Sequence, residues 1–226
     1  MNWEDEGFLL SKIKFRENAN IVNVFTSSFG KVSGIVYGGN SRKIRNYLQI
    51  SNKIFLSHST KNINKIGYFK TELIKAISPK YFDDKIRTTV LLSLSSLLNT
   101  LLPESQPYKN IYKSLNNLLE NFDSDEWIIL YLFWELNLLK ELGFDPNLSK
   151  FNNNTNPSGK LTSINIDNIK YQIPNFLIDK DIRNNFDADC IKIALNFTRN
   201  LMLNKFFLPN NLIFPKSRIL LENYFN

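Results

Sequence analysis

Ile21-Val22-Asn23-Val24-Phe25-Thr26-Ser27-Ser28-Phe29-Gly30-Lys31-Val32-Ser33-Gly34-Ile35-Val36-Tyr37 governs the reading of the first third of the chain. Two β-prone runs, Ile21–Thr26 and Lys31–Tyr37, flank a Ser-Ser-Phe-Gly turn. Ile21–Phe25 alternates in part, as does Lys12-Ile13-Lys14-Phe15, the pattern of half-buried strands. Working outward, Gly7–Phe15 precedes this pair, and Lys53–Ser57 and Gly67–Ile77 follow it. Gly38-Gly39-Asn40-Ser41 and Asn62–Lys65 supply the remaining turns. Five short strands in so little chain fit a small closed barrel, because closure removes edges that a small sheet could not otherwise protect. An OB-type barrel is the expectation, with an SH3-like barrel as the alternative.

After Pro79 the period becomes helical. Tyr81–Leu102 carries Phe82, Ile86, Val90, Leu91, Leu94, Leu97, Leu98 and Leu101 at spacings of three and four, and Pro103 stops it. Tyr108–Phe122 follows with Ile111, Leu115, Leu118 and Leu119 on one face. Asp125–Leu142, capped by Ser124 or Asp123 and ended by Gly143, leaves almost no polar face, so it is expected at the centre of a bundle. Residues 147–181 break the pattern with a polar loop, Lys150–Gly159, and two short runs, Leu161–Ile166 and Ile169–Ile173, that could pair as a hairpin. Helices resume at Ala188–Asn204 and Lys216–Tyr224. The fold class expected is therefore α+β: a barrel domain over 1–78 and a mostly helical domain over 79–226, with an irregular insert at 147–181.

The charge is sorted along the same boundary. Residues 1–78 hold 12 Lys+Arg against 5 Asp+Glu, a net of +7, while residues 79–226 hold 16 of each. A low-GC codon bias would explain 32 Asn and abundant Lys, but it would not separate Lys from Asp and Glu along the chain. A basic barrel beside a neutral helical body suits a polyanion; the bland alternative is a solvated basic face. No acid lies between Glu17 and Glu72, so Arg42, Lys43 and Arg45, three cations in four positions, have no neutralising neighbour in sequence. A distant acid from the helical region is the structural alternative to a phosphate there.

Much chemistry is excluded. One Cys (Cys190) and one His (His58) leave no disulfide framework, no tetrahedral Cys/His zinc site within one chain and no Ser-His-Asp triad of ordinary kind. P-loop, dinucleotide-binding and HExxH motifs are missing. Asp83/Asp84 and Asp187/Asp189 are close carboxylates of the sort a Mg²⁺ nuclease uses, yet both pairs sit at expected helix starts, where acids suit the dipole. Cys190 reads as a buried small hydrophobe and His58 as a residue of the barrel surface or rim. The acidic start lacks an apolar signal region, and apolar runs such as Trp127–Phe133 are too short to span a membrane. A cytoplasmic protein without cofactor is expected.

Trp3-Glu4-Asp5-Glu6-Gly7, Thr26–Gly34, Val36-Tyr37-Gly38-Gly39-Asn40-Ser41-Arg42-Lys43-Ile44-Arg45 and Leu48-Gln49 resemble the bacterial RecO family of recombination mediators, most closely its alphaproteobacterial branch. Phe133-Trp134-Glu135-Leu136, Leu142-Gly143-Phe144 with Pro146, and Pro174-Asn175-Phe176-Leu177 extend the resemblance along nearly the whole chain. Many members carry a zinc-binding cysteine cluster after the central helix; here that stretch is Asn147–Asn154, with no Cys or His, so no zinc site carries over. The resemblance implies a non-enzymatic protein of DNA repair, associated with the nucleoid, that binds single- and double-stranded DNA and anneals complementary strands. It also implies engagement of the acidic, Phe-ended tail of single-strand-binding protein (SSB) through the helical domain and, with RecR, help in loading RecA. Lys12, Lys14, Lys31, Arg42, Lys43 and Arg45 are the candidate phosphate contacts, and Tyr37 and Tyr47 the candidate stacking rings. Lys109, Lys113 and Lys140 are candidates for meeting the SSB tail. An RNA-binding OB module and a metal-dependent nuclease are the competing readings.

Overall fold

Five strands, β1 (Asn2–Arg16), β2 (Ala19–Thr26), β3 (Gly30–Tyr37), β4 (Lys53–Ser59) and β5 (Gly67–Lys75), close into a barrel in the order β1-β2-β3-β5-β4. The structure, a computed structural model, describes residues 2–60, 66–154, 160–181 and 186–225. Neighbours are antiparallel except β3 and β5, which run parallel at Gly34–Gly67 and Ile35–Tyr68. A short helix, α1 (Arg42–Tyr47), links β3 to β4. Such a five-stranded closed barrel is of the expected OB type. The expected turn at Asn62–Lys65 falls on residues outside those described.

Strand β1 starts five residues before the expected Gly7 because it closes the barrel. Its Asn2–Phe8 half pairs with β4, and the half from Gly7 to Arg16 pairs with β2. The acidic Glu4-Asp5-Glu6 carries no apolar signal, but its acids are used: Asp5 accepts from the Ser28 N–H at 2.9 Å, and Glu6 pairs with Lys53 at 2.6 Å. Leu9, Val22, Val24, Val32, Val36, Leu48, Ile54, Leu56 and Phe69 fill the interior. Each such burial contributes roughly 1.5–3 kcal/mol. Position 34 must be glycine, since a Cβ there would stand 2.4 Å from the Phe69 ring.

Contacts divide the chain into two units, one of Met1–Tyr112 with Pro215–Leu221 and one of Lys113–Phe214 with Glu222–Asn226. The barrel's unit thus includes a 3₁₀ turn, Ser78–Tyr81, and the helix α2 (Lys85–Leu101). The boundary falls inside α3 (Lys109–Glu120), whereas the sequence pattern changes at residue 78. Helix α2 packs against β1 and ties down part of the outer barrel surface: Asn23 Nδ2 donates to Asn99 Oδ1 at 2.8 Å.

In the other unit, α4 (Trp127–Glu141) buries Ile129, Tyr131, Leu132, Trp134, Glu135, Leu138 and Leu139. It starts two residues later than expected, with Glu126 at its N-cap and no side-chain cap bond, so neither Ser124 nor Asp123 caps it. Two strands, β6 (Leu161–Ile166) and β7 (Ile169–Pro174), form the expected hairpin, turning on Asp167 and Asn168 at positive φ. Two further helices follow, α5 (Asn175–Asp179) and α6 (Ala188–Met202). A π-helical turn, Leu203–Phe207, then precedes α7 (Lys216–Asn223), which begins in the first unit. Inside this second unit, Glu135 is fully buried and accepts from the Tyr131 hydroxyl at 2.5 Å and the Thr198 hydroxyl at 2.6 Å.

Candidate nucleic-acid interface

The cations sort by where the barrel puts them. Helix α1 is capped by Ser41, whose hydroxyl accepts from the Ile44 N–H, and the turn before it depends on Gly38 at φ +69°. That turn is fastened to the β1–β2 turn: the Gly38 N–H donates to the Asn18 carbonyl at 2.8 Å, and Asn40 Nδ2 to the Glu17 carbonyl at 2.8 Å. Ile44 and Tyr47, three residues apart, pack against the barrel core. Arg42, Lys43 and Arg45 are therefore left in solvent, and no acid pairs with any of them among the described residues.

Lys12 joins this cluster. It is half-buried, its ammonium donates to the Leu48 carbonyl at 2.9 Å, and burial together with the nearby Arg45 guanidinium lowers its pKa below the ordinary lysine value. Alternation places the exposed Lys14 on the same face as Lys12. The structure thus brings together Lys12, Lys14, Arg42, Lys43 and Arg45 around one end of the barrel.

Two of the expected residues are engaged inside the protein. Lys31 points outward from β3 but is buried, donating to the Asn99 carbonyl at 2.8 Å and lying 3.7 Å from Glu104, so it is a structural cation and not a free phosphate contact. Tyr47 is partly buried, its hydroxyl donating to the Thr71 carbonyl at 2.6 Å while its ring packs on the core.

Tyr37 does offer one. It is 53% exposed and stacks on Tyr68, itself 44% exposed, with ring centroids 5.4 Å apart and planes at 25°. The register sets a continuous outer row, Ile13–Ile21–Ile35–Tyr68, across four strands. Tyr37 is the next outward residue of β3, and Phe15, 43% exposed, lies under the Arg16 guanidinium at 5.2 Å. An apolar, partly aromatic strand face beside a cationic end is suited to bases on one side and phosphates on the other. Tyr68 was not singled out from the sequence; the signal was there in Gly67-Tyr68-Phe69-Lys70, where burial of Phe69 forces Tyr68 and Lys70 outward.

The carboxylate pairs resolve as caps. Asp84 is the N-cap of α2, accepting from the Arg87 N–H at 2.9 Å and its guanidinium at 2.7 Å. Asp187 caps α6, accepting from the Cys190 N–H at 2.9 Å and pairing with Lys160 at 2.5 Å. Hydrogen bonding to Lys160 drives the Asp187 carboxyl far below the usual range. No group of three or more His, Cys, Asp or Glu that could hold a metal occurs among the described residues. Cys190 is buried, and its thiol pKa is pushed up to about 11 by burial and by the Asp187 carboxylate. His58 is stacked between Trp3 at 4.7 Å and the edge of Phe69 at 5.5 Å, inside the barrel rim. Among the described residues no helix is long and apolar enough to cross a membrane.

The chain matches family models for the N-terminal part of recombination protein O over residues 1–77 and for its C-terminal part over residues 83–185. The chain belongs to the RecO family. A DNA repair protein RecO from Ruegeria sp. (strain TM1040) is 33% identical over 150 residues, covering 66% of this chain and 62% of that protein. One from Wolbachia pipientis wMel is 33% identical over 152 residues with the same shares. One from Ehrlichia chaffeensis is 28% identical over 235 residues, covering 98% of this chain and 95% of that protein. The matches thus span under two thirds of the first two relatives and nearly the whole of the third. The stretch Asn147–Asn154 after α4 contains no Cys or His. In this chain Asp145 orders that segment, accepting from the Asn147 N–H at 2.8 Å, and Leu148 is buried beneath it. The Asn147 N–H bond, with Lys140 at 3.1 Å, keeps the Asp145 carboxyl below the usual carboxylate range.

The expected partner-binding lysines are separated in role. Lys109 and Lys113 are exposed one turn apart on α3. Lys140 pairs with Asp145, and with Lys180 it lines a cavity of about 300 Å³ walled by Phe133, Leu136, Leu148 and Leu177. Lys180, at positive φ after α5, is a cation that no sequence pattern marks.

Proposed function

We propose that this protein is a DNA-binding recombination mediator of DNA repair, acting in the cytoplasm at the nucleoid and not as an enzyme. It binds single- and double-stranded DNA through the barrel, anneals complementary strands, and with RecR helps load RecA on SSB-coated single strands. The observation that carries this reading is the unpaired cluster Arg42, Lys43 and Arg45 at the end of an OB-type barrel whose outer face bears the stacked Tyr37–Tyr68 pair. Three like charges held together in solvent repel one another by roughly 1 kcal/mol per close pair, and phosphates reverse the sign of that term. Against a nuclease reading, one carboxylate of each candidate pair, Asp84 and Asp187, serves as a helix cap. We place the SSB tail at the cavity lined by Lys140 and Lys180, whose apolar walls suit a ring and whose Lys180, beside the Lys140–Asp145 pair, offers an ammonium group to a carboxylate.

The test is annealing of complementary strands precoated with SSB. The protein should accelerate duplex formation, leave labelled oligonucleotides intact in Mg²⁺, and lose both annealing and DNA affinity when Arg42 and Arg45 are replaced by Ala. Cleavage of the strands, or equal affinity for RNA with no annealing of coated DNA, would replace this reading by one of its competitors.

A further inference from the structure

Beside the cationic end of the barrel lies a cavity of about 330 Å³ that no phosphate contact explains. Its lining is Leu48, Gln49 and Ile50 from the segment after α1, Phe82 from the segment before α2, and Leu91 and Leu92 from α2 itself, with Lys12 at one edge. The size is at the lower end of the range for small-ligand sites, roughly 300–1,000 Å³. Phe82 is 83% exposed and Leu92 is 39% exposed. A phenyl ring left that open beside an apolar cleft has a free face. Most backbone and hydroxyl groups around the cleft are already satisfied: the Ser78 hydroxyl donates to the Ile50 carbonyl at 2.7 Å and the Thr88 hydroxyl to the Tyr81 carbonyl at 2.6 Å. What remains is the Lys12 ammonium, which gives one hydrogen to the Leu48 carbonyl and keeps two others. Charge complementarity chooses the occupant. Lys12 lines the cleft, and Leu48 and Gln49 follow directly on α1, the helix that carries Arg42, Lys43 and Arg45, so an apolar group attached to an anion matches both the walls and the charge.

We propose that this cleft receives one unstacked nucleobase of a single strand whose phosphates lie on Lys12 and Arg45, with Phe82 stacking on the base. The inference rests on the cation cluster being a DNA contact, and it adds that the contact is selective for a strand with a free base. A duplex cannot present a base there without unpairing it, so the cleft discriminates single-stranded from double-stranded DNA, which phosphate contacts alone do not.

The experiment titrates the full-length protein and its Phe82→Ala variant with three probes: a single-stranded oligonucleotide, the same backbone made wholly of abasic sites, and a duplex. Phe82 is exposed, so its removal should leave the melting temperature unchanged. The variant should lose about tenfold in affinity for the single strand, the equivalent of about 1.4 kcal/mol, and nothing for the abasic strand or the duplex. Fluorescence of a 2-aminopurine base in the strand should respond to the wild type and not to the variant. Unchanged affinity on all three probes overturns the cleft, as does equal loss on all three. In a fourth titration, with an acidic peptide ending in an aromatic residue, a loss confined to the peptide would overturn it too, by assigning the cleft to a protein partner. Retained sensitivity to Arg42→Ala with Arg45→Ala in the same titration would show that only the base site had failed. Binding of no probe by the wild-type protein would overturn both.

Discussion

Replacing Arg42 and Arg45 with Ala tests the interface at the point where folding and binding make opposite demands. Both side chains are exposed on the face of α1 away from Ile44 and Tyr47, and neither has an acid partner among the described residues. Ala at either position keeps the helix. The free protein should therefore be as stable as before or slightly more so, since repulsion within the cluster falls. Removing Arg45 also removes one of the two causes holding down the Lys12 pKa, so that pKa should rise toward the ordinary lysine value, measurable by NMR titration. For DNA the change is a loss. With about five single-strand phosphate contacts the slope of log affinity against log salt is roughly −3.5, and deleting two contacts leaves roughly −2.1. Between about 50 and about 200 mM salt the wild type should lose roughly 2 log units of affinity and the variant roughly 1.3. At low salt the variant should start about thirtyfold weaker, taking about 1 kcal/mol for each lost arginine contact. Fluorescence anisotropy across a salt series gives all of these quantities. An earlier melting temperature with normal DNA affinity and an unchanged slope would show that the cluster is structural and that the interface lies elsewhere.

Three further outcomes follow from the same coordinates. Tyr37→Ala with Tyr68→Ala removes two exposed stacked rings and should weaken single-strand binding by about 1–3 kcal/mol per base stacked, with little change in melting temperature or duplex affinity; equal loss on duplex would contradict stacking. Burial pushes the His58 pKa below its ordinary value, so the unfolded state takes up the proton more readily and stability should fall as pH drops below about 6.5 toward the folded-state pKa. Glu104 lines the same cavity as His58 and pairs with Lys31, so thermal melts of wild type and Glu104→Gln between pH 8 and 5 separate the two groups; a rise in stability on acidification would refute the assignment. Glu135→Ala removes the acceptor of two buried hydroxyl bonds and should cost about 3 kcal/mol in denaturant unfolding while leaving DNA affinity intact; a neutral result would mean that the pair carries no net stability.

The barrel was legible because its strands are short and punctuated, and the helical region because its period is long. What escaped was set by closure and by packing over distance. The acidic start carries no apolar alternation, yet Asn2–Phe8 is the strand segment that seals the barrel against β4. Lys31 and Arg45 are indistinguishable in sequence, each a base in a run without nearby acids, and only the arrival of Asn99 and Glu104 from more than sixty residues away makes one structural and leaves the other free. The same holds for the rings: Tyr37 and Tyr47 read alike, but the Thr71 carbonyl claims one and Tyr68 supports the other.

That partition has a consequence for how the surface works. Helix α2 and the segment after it cover Lys31, Asn23 and Ser33, and so take one half of the β2–β3 outer face out of use. The other half carries the partly exposed Ile21 and the exposed Tyr37, together with the buried Ile35, and it lies next to the turn that starts α1. Stacking groups and cations are thereby confined to one end of the barrel, where Gly38 and Asn40 lock the α1 turn to the β1–β2 turn. A strand that lays its phosphates on α1 then has two aromatic surfaces to meet its bases, the Tyr37–Tyr68 pair and, as proposed above, Phe82. Because neither ring system carries charge, losing either should leave the salt dependence intact, whereas losing the cations should weaken every nucleic acid alike.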